Sequence, residues 1–141
     1  HMWGMYWKLY EQMIRTKQFD FHAHPDLAKR FGLRPDGDLR RYYEPVIEAL
    51  VDTNGILEVS TAGLRKDVRE IYPAREMLEM AFAAKVPIVG AGAGSFLARE
   101  IASVEGRSYV AFADIIGRNE SPSSISTCAP AVAVGCLALR L

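Results

Sequence analysis

The chain lacks the features that would tie it to nucleic acid or to a membrane. Its seventeen basic residues balance its seventeen acidic ones, so no net charge attracts a nucleic acid or an anionic lipid surface. The apolar stretch at 129–141 is shorter than the roughly 20 residues that span a bilayer. We therefore expect no nucleic-acid partner and no membrane insertion.

Cysteine is scarce as well. The chain has only Cys128 and Cys136, and on a helix this spacing separates them by more than two turns, too far for a disulfide. Reduced, buried cysteines and first residues without a secretory signal predict a cytoplasmic location. Half of the 141 residues are apolar, which predicts one globular domain over 1–141 with a real core.

Short apolar runs alternate with helical patterns along the chain. Strands are predicted at 19–23, 56–59, 86–89 and 109–113, and helices at 5–15, 39–51, 72–85, 95–104 and 128–139. Asn54-Gly55 is expected to end the second helix, since both residues tolerate a positive φ. The alternation predicts an α/β fold with a mainly parallel, four-stranded sheet covered by helices, as a half-barrel or a three-layer sandwich.

His22, His24 and Asp26 lie in and just beyond the first predicted strand. Alternate residues of a strand point to the same side, so the two imidazoles would share a face, and Asp26 could add an oxygen ligand. Such groups bind divalent metals, here zinc, manganese or iron. The pattern predicts a metal site at these three residues. The alternative is a pair of partly buried, hydrogen-bonded histidines.

The loop after the second predicted strand suits a phosphate group. Ser60-Thr61-Ala62-Gly63 offers two hydroxyls and a glycine, and Arg65 and Lys66 follow directly. Hydroxyls, backbone N–H groups and a guanidinium fork are typical phosphate contacts. We predict phosphate binding at Arg65 and Lys66, with a solvated basic turn as the alternative.

Glu58, inside the strand, needs a partner if buried, and a salt bridge to a helix lysine or arginine is the simplest.

Residues 5–89 resemble the later half of a histidinol-phosphatase-type phosphoesterase of the PHP superfamily. The matching motifs are Phe19-Asp20-Phe21 leading to His24-Pro25-Asp26-Leu27, Lys29-Arg30-Phe31-Gly32-Leu33-Arg34-Pro35, Asn54-Gly55, Glu58-Val59-Ser60-Thr61-Ala62-Gly63-Leu64-Arg65-Lys66, and Ile71-Tyr72-Pro73. The resemblance implies an irregular βα barrel and metal-dependent hydrolysis of a phosphomonoester. It implies that His24 is a metal ligand and Arg65 a phosphate contact.

The sequence also departs from that family. The family has an apolar or small residue where His22 stands. Its His-x-His ligands would precede Met5, and its Ser-Asp-Ala-His segment would follow the strand at 86–89. Gly90-Ala91-Gly92 occupies that second place. Because metal binding needs several ligands, one inherited histidine cannot replace the set.

A second pattern follows the strand at 86–89. Gly90, Gly92, Gly94 and Ser95 lead into a predicted helix, a layout that presents backbone N–H groups to a nucleotide or another anion. Asp114 ends the following strand, close to where a dinucleotide-binding unit keeps its ribose-binding acid. The alternative is that small residues only let the helix approach the strand closely.

Residues 86–141 resemble the C-terminal part of a hydantoinase/oxoprolinase-like or methanopterin-pathway protein of the ASKHA (actin-like kinase) superfamily. The residues concerned are 86–94, Phe96-Leu97-Ala98, Tyr109 to Asp114 and Thr127 to Val134. This resemblance implies that the glycine loop lies near the adenosine or phosphates of a nucleotide.

Together the two resemblances favour a chimera, recombined or engineered, in which residues 5–89 and 90–141 form one α/β module without a complete active site. Weak residual metal and phosphate binding is expected. The alternatives are a PHP-type metal-dependent phosphomonoester hydrolase and a nucleotide-binding domain. Apolar sheet faces and edges left open by a half-barrel predict a homo-oligomer, such as a strand-exchanged dimer.

Overall fold

A computed structural model describes residues 2–32, 34–90, 95–104, 106 and 109–111. The helices are α1 (Met2–Arg15), α2 (Arg40–Thr53), α3 (Arg75–Ala83) and α4 (Ser95–Val104), and the strands are β1 (Leu57–Val59), β2 (Ile88–Gly90) and β3 (Tyr109–Ala111). Two 3₁₀ turns cover Leu27–Phe31 and Ala62–Arg65. In this part of the chain no helix is both long and apolar enough to cross a membrane.

The three strands form one parallel sheet in the order β1-β2-β3, which confirms the predicted α/β class. Leu57 pairs with Ile88, and Ile88 pairs with Tyr109. Leu57, Ile88 and Val89 are buried. A strand that is covered on both faces reads as a continuous apolar run, which is why these strands could be found from the sequence.

The prediction of a strand at 19–23 is wrong in its extent, because only His22 pairs with the sheet, through one parallel bridge to Leu57. The His22 N–H donates to the Ile56 carbonyl at 2.8 Å, and the Glu58 N–H donates to the His22 carbonyl at 3.0 Å. Extended backbone then ends at His24, whose φ is 46°. The described residues therefore show three strands, with an isolated bridge at His22 in place of the predicted first strand.

Helix α3 begins at Arg75, later than the predicted start at 72. The reason is that Tyr72 is held in an antiparallel bridge with Ser60, where each N–H donates to the other residue's carbonyl, at 2.7 and 2.9 Å. Helix α2 runs through Pro45 without a break and ends at Asn54, which has a left-handed φ of 55°, as the sequence predicts.

The core lies between α1, α2, α3 and the sheet. Trp3, Trp7 and Ile14 of α1 are buried against α2, where Trp7 meets Tyr43 edge-to-face at 5.1 Å between ring centroids. Burying such large aromatic rings stabilises the helix pair well beyond what helix propensity supplies. This packing fixes the amino-terminal helices under the sheet and leaves its carboxyl edge to the loops.

Two of those loops meet at the carboxyl edge. His24 to Asp26 follow the bridge at His22, and Ser60 to Arg65 follow β1, which runs parallel to that bridge. Segments that leave the same edge of a parallel sheet are neighbours, and this edge is where α/β proteins bind their ligands. Lys85 precedes β2 and so lies at the opposite edge.

Candidate functional site

His24 and Glu58 form the centre of the site. One carboxylate oxygen of Glu58, Oε2, accepts from His24 twice: from Nδ1 at 2.8 Å and from the backbone N–H at 3.1 Å. Glu58 is buried, whereas about a third of the His24 side chain is exposed. A single buried carboxylate therefore fixes both the imidazole and the unusual left-handed backbone of His24.

The buried Glu58 thus has a partner, as the sequence requires, but the partner is a histidine and not the helix lysine or arginine that was predicted. The hydrogen bond from Glu58 raises the pKa of His24 above 6.5, against the effect of burial. Because the folded pKa is raised, this pair stabilises the fold below the unfolded pKa of histidine. The stabilisation is lost as the pH rises through the folded pKa of His24.

His22 has a different environment from His24, so the two imidazoles do not form the matched pair that a continuous strand would give. His22 is buried, and its Nδ1 has no hydrogen-bond partner among the residues that the structure describes. Its ring lies 6.3 Å from that of Tyr10. Burial lowers the pKa of His22, whereas Glu58 raises that of His24, so the two pKa values are shifted in opposite directions.

Asp26 is engaged in a fully buried ion pair. Its Oδ2 lies 2.7 Å from Lys29 Nζ and accepts the Ala74 N–H at 2.6 Å. Lys29 Nζ also donates to the Ile71 carbonyl at 2.6 Å and lies 3.3 Å from Glu70 Oε2. Burial raises the pKa of Asp26, and Lys29 opposes that rise. The pair anchors the Leu27–Phe31 turn to the segment before α3.

Tyr72 links this ion pair to His24. Lys29 Nζ lies 5.1 Å from the centroid of the Tyr72 ring, and the His24 ring lies 5.5 Å from it. Gly63 lies against the same ring: a Cβ placed there would be 2.8 Å from Tyr72 Cε2 and in closer collision with the Glu70 carbonyl. The loop after β1 therefore reaches Tyr72 only because residue 63 is glycine.

The three predicted metal ligands lie in the same region of the fold, but their side chains do not converge on one metal position. Within the described ranges, no three or more histidine, cysteine, aspartate or glutamate side chains are placed to hold a metal ion together. Asp26 is already bound to Lys29, and His24 to Glu58. The site at His22, His24 and Asp26 thus stays a prediction, with His24 as the member that is open to solvent.

Arg65 and Lys66 lie at the end of the Ala62–Arg65 turn, and both are exposed. Of the predicted anion loop, Gly90 ends β2 and Ser95 begins α4, whereas Gly92, Gly94 and Asp114 lie outside the described residues. That loop and its nucleotide therefore stay a prediction.

Sequence reasoning did not identify Lys29, Tyr72, Glu70 and Arg34 as one cluster with His24. Lys29 reads as a surface lysine next to Arg30, and nothing local marks it as buried. The available signal was Glu58, a carboxylate inside an apolar strand, which had to have a partner. Its partner lies 34 residues away in the chain, and spacing alone does not reveal it.

No protein-family model matches the chain. Over 85 residues it is 35% identical to a protein of Deinococcus radiodurans that is named a probable histidinol-phosphatase. The match takes in 60% of this chain and 32% of that protein, so the chain spans about a third of the length of this relative. The chain is thus similar to a histidinol-phosphatase, as its motifs predict. The second resemblance, to actin-like kinases, and the chimera gain no support from this comparison and stay predictions.

Proposed function

We propose that this chain binds phosphate monoesters at the carboxyl edge of its sheet, with a site of the PHP phosphoesterase type. The observation that carries the proposal is the pairing of His24 with Glu58, next to the loop that bears Arg65 and Lys66. A partly exposed histidine whose pKa is raised by a buried carboxylate suits the binding of an anion. The similarity to a histidinol-phosphatase supports the same class of ligand.

Within the described ranges, His24 is the one side chain of this site that is free to bind a divalent metal. Metal-binding histidines usually have a carboxylate on the other ring nitrogen, which is the place of Glu58 at Nδ1. Among the described residues nothing hydrogen-bonds to Nε2 of His24, so this nitrogen can bind a metal once the ring has lost its second proton. When bound, a divalent ion supplies Lewis acidity toward a phosphoryl oxygen. A single protein ligand gives only weak metal binding. We therefore propose that the described residues bind phosphate, and that its hydrolysis requires further metal ligands.

The phosphate contacts of the proposal are Arg65 and Lys66. Neither has a carboxylate partner in the described part of the chain. A guanidinium without a partner can donate two parallel hydrogen bonds to a phosphate, whereas a paired one must first be released.

Self-association remains a separate prediction, which the exposed apolar stripe of Met2, Met5 and Leu9 on α1 would suit.

Calorimetric titration with inorganic phosphate tests this proposal. We expect wild-type binding in the millimolar range, and an affinity about tenfold lower for Arg65→Gln because one charge-assisted contact is lost. Lys85→Gln is the control, since this exposed cation lies at the opposite edge of the sheet and should leave the affinity unchanged.

Two outcomes would revise the proposal. Equal losses in Arg65→Gln and Lys85→Gln would mean that phosphate binds diffusely, and absence of binding would contradict the proposed site. Manganese-dependent hydrolysis of p-nitrophenyl phosphate that disappears in His24→Gln would instead establish the alternative, a working PHP-type hydrolase.

A further inference from the structure

Two tyrosines of α1 reach the segment that carries His24. Tyr6 and Tyr10 are four residues apart, so they lie on the same face of the helix. The Tyr6 hydroxyl donates to the Pro25 carbonyl at 2.7 Å. The Tyr10 hydroxyl donates to the Ala23 carbonyl at 3.4 Å, which makes this the longer and weaker bond. The two hydroxyls therefore bind the residues directly before and directly after His24.

Aromatic packing holds the two tyrosine rings in place. They stack on each other with 6.1 Å between centroids and 22° between planes. Trp7, which is buried in the core, lies edge-to-face with the Tyr6 ring at 5.3 Å and with the Tyr10 ring at 6.0 Å. A ring that is already fixed loses little further conformational entropy when its hydroxyl forms a hydrogen bond. Burial, and then the charge of Asp26, raises the pKa of Tyr6 to about 12, so the hydroxyl keeps the proton that it donates at neutral pH.

His24 needs such a restraint because its backbone is strained. Its φ of 46° is a left-handed value, which costs free energy in a residue with a side chain. Glu58 accepts the His24 N–H, and Tyr10 binds the carbonyl of the same peptide group, so that group is held at both ends. Tyr6 holds the peptide group after Pro25, which fixes the chain on the far side of the strained residue. Without these bonds the chain would relax toward an ordinary φ and move the imidazole with it.

We propose that Tyr6 and Tyr10 are positioning residues of the phosphate site, which act through His24 by holding the peptide groups on either side of it. This inference rests on the proposed function and adds to the site two residues of α1 that do not contact phosphate themselves. Tyr6 has the larger effect because its hydrogen bond is the shorter one. Molecules in which His24 has relaxed lack one phosphate contact, so the measured affinity falls with the fraction of molecules that keep the observed backbone.

The test removes each hydroxyl and leaves its ring in place. Tyr6→Phe and Tyr10→Phe both keep the packing against Trp7. In a calorimetric titration with inorganic phosphate, we expect the affinity to fall about fivefold in Tyr6→Phe, the equivalent of one lost hydrogen bond. The longer bond of Tyr10 predicts a loss of less than about twofold in Tyr10→Phe.

Tyr42→Phe is the matched control. The Tyr42 ring also packs against α1, with 6.4 Å between its centroid and that of Trp3. Its hydroxyl accepts from Arg41 at 3.3 Å, and among the described residues it has no hydrogen bond to the segment at 23–25. The substitution thus removes a tyrosine hydroxyl from the same helix pair and should leave the phosphate affinity unchanged.

Hydrogen exchange separates positioning from a general loss of stability. The His24 amide donates to Glu58, so it exchanges when the segment opens locally. Tyr6→Phe should speed exchange at His24 about fivefold, the same factor as the loss of affinity, and should change exchange at the buried Leu50 of α2 by less than about twofold.

Each outcome decides the inference. If Tyr6→Phe weakens phosphate binding no more than Tyr42→Phe does, Tyr6 is not a positioning residue. If Tyr6→Phe speeds exchange at His24 and Leu50 by the same factor, its hydroxyl only stabilises the fold and the inference is wrong. The proposed function survives either result as long as Arg65→Gln still lowers phosphate affinity. If the wild type does not bind phosphate, the proposed function fails together with the inference.

Discussion

Lys29→Met is expected to lower the free energy of unfolding by about 3–5 kcal/mol. Lys29 is fully buried and faces the equally buried Asp26 at 2.7 Å. Removing the ammonium leaves an uncompensated carboxylate in the interior, and it also leaves the Ile71 carbonyl without its donor. Urea denaturation of the wild type and the variant at neutral pH measures the difference.

A second substitution separates charge from packing in that result. Adding Asp26→Asn to Lys29→Met removes the stranded charge, and the side-chain oxygen of asparagine can still accept from the Ala74 N–H. About half of the lost stability should return. Arg75→Met is the surface control, since its solvent-exposed pair with Glu79 should contribute little to stability. Equal losses for Lys29→Met and Arg75→Met would contradict the role of the buried pair.

Gly63→Ala is expected to lower the free energy of unfolding by about 3 kcal/mol, which is at the upper end of the destabilisation that overpacking causes. The added methyl would collide with the Glu70 carbonyl, which belongs to the backbone, and with Tyr72 Cε2 at 2.8 Å. The chain cannot relieve this collision by a rotamer change alone, so the loop after β1 must move away from Tyr72. Thermal and urea unfolding would both report the loss.

Gly4→Ala gives the matched control for that substitution. Gly4 lies within α1, and a Cβ there would meet Tyr42 at an ordinary 3.8 Å. Because alanine is the better helix former, this change should stabilise the protein by up to about 1 kcal/mol. A Gly63→Ala variant as stable as the wild type would mean that the loop has room to adjust and does not depend on glycine.

The parts of the fold that follow local rules could be predicted from the sequence. The buried strand β2 is a continuous apolar run, and β1 is apolar except for Glu58. Asn54 ends α2 through a left-handed φ, as its type allows. Local pattern failed at 19–23, where a strand-like run makes only one bridge. It failed again at Tyr72, whose pairing with Ser60 delays the start of α3. Tertiary pairing decided both cases.

The candidate site shows the same division. Arg65, Lys66 and His24 could be chosen from residue type and resemblance, because phosphate and metal chemistry needs such groups. The arrangement around them could not, since Glu58 meets His24 and Lys29 meets Glu70 across 34 and 41 residues. Asp26 illustrates the limit well: its type suits a metal ligand, but a lysine three residues later occupies its carboxylate.

The imidazole resonances of His24 and His22, followed by NMR through a pH titration with and without phosphate, test the central claim most directly. Glu58 should hold the pKa of His24 above 6.5, and Glu58→Gln should lower it. Phosphate next to His24 should raise its pKa further, because an anion favours the imidazolium, whereas the buried His22 should not respond. A pKa of His24 that neither Glu58→Gln nor phosphate changes would contradict the assignment of this edge of the sheet as a phosphate-binding site.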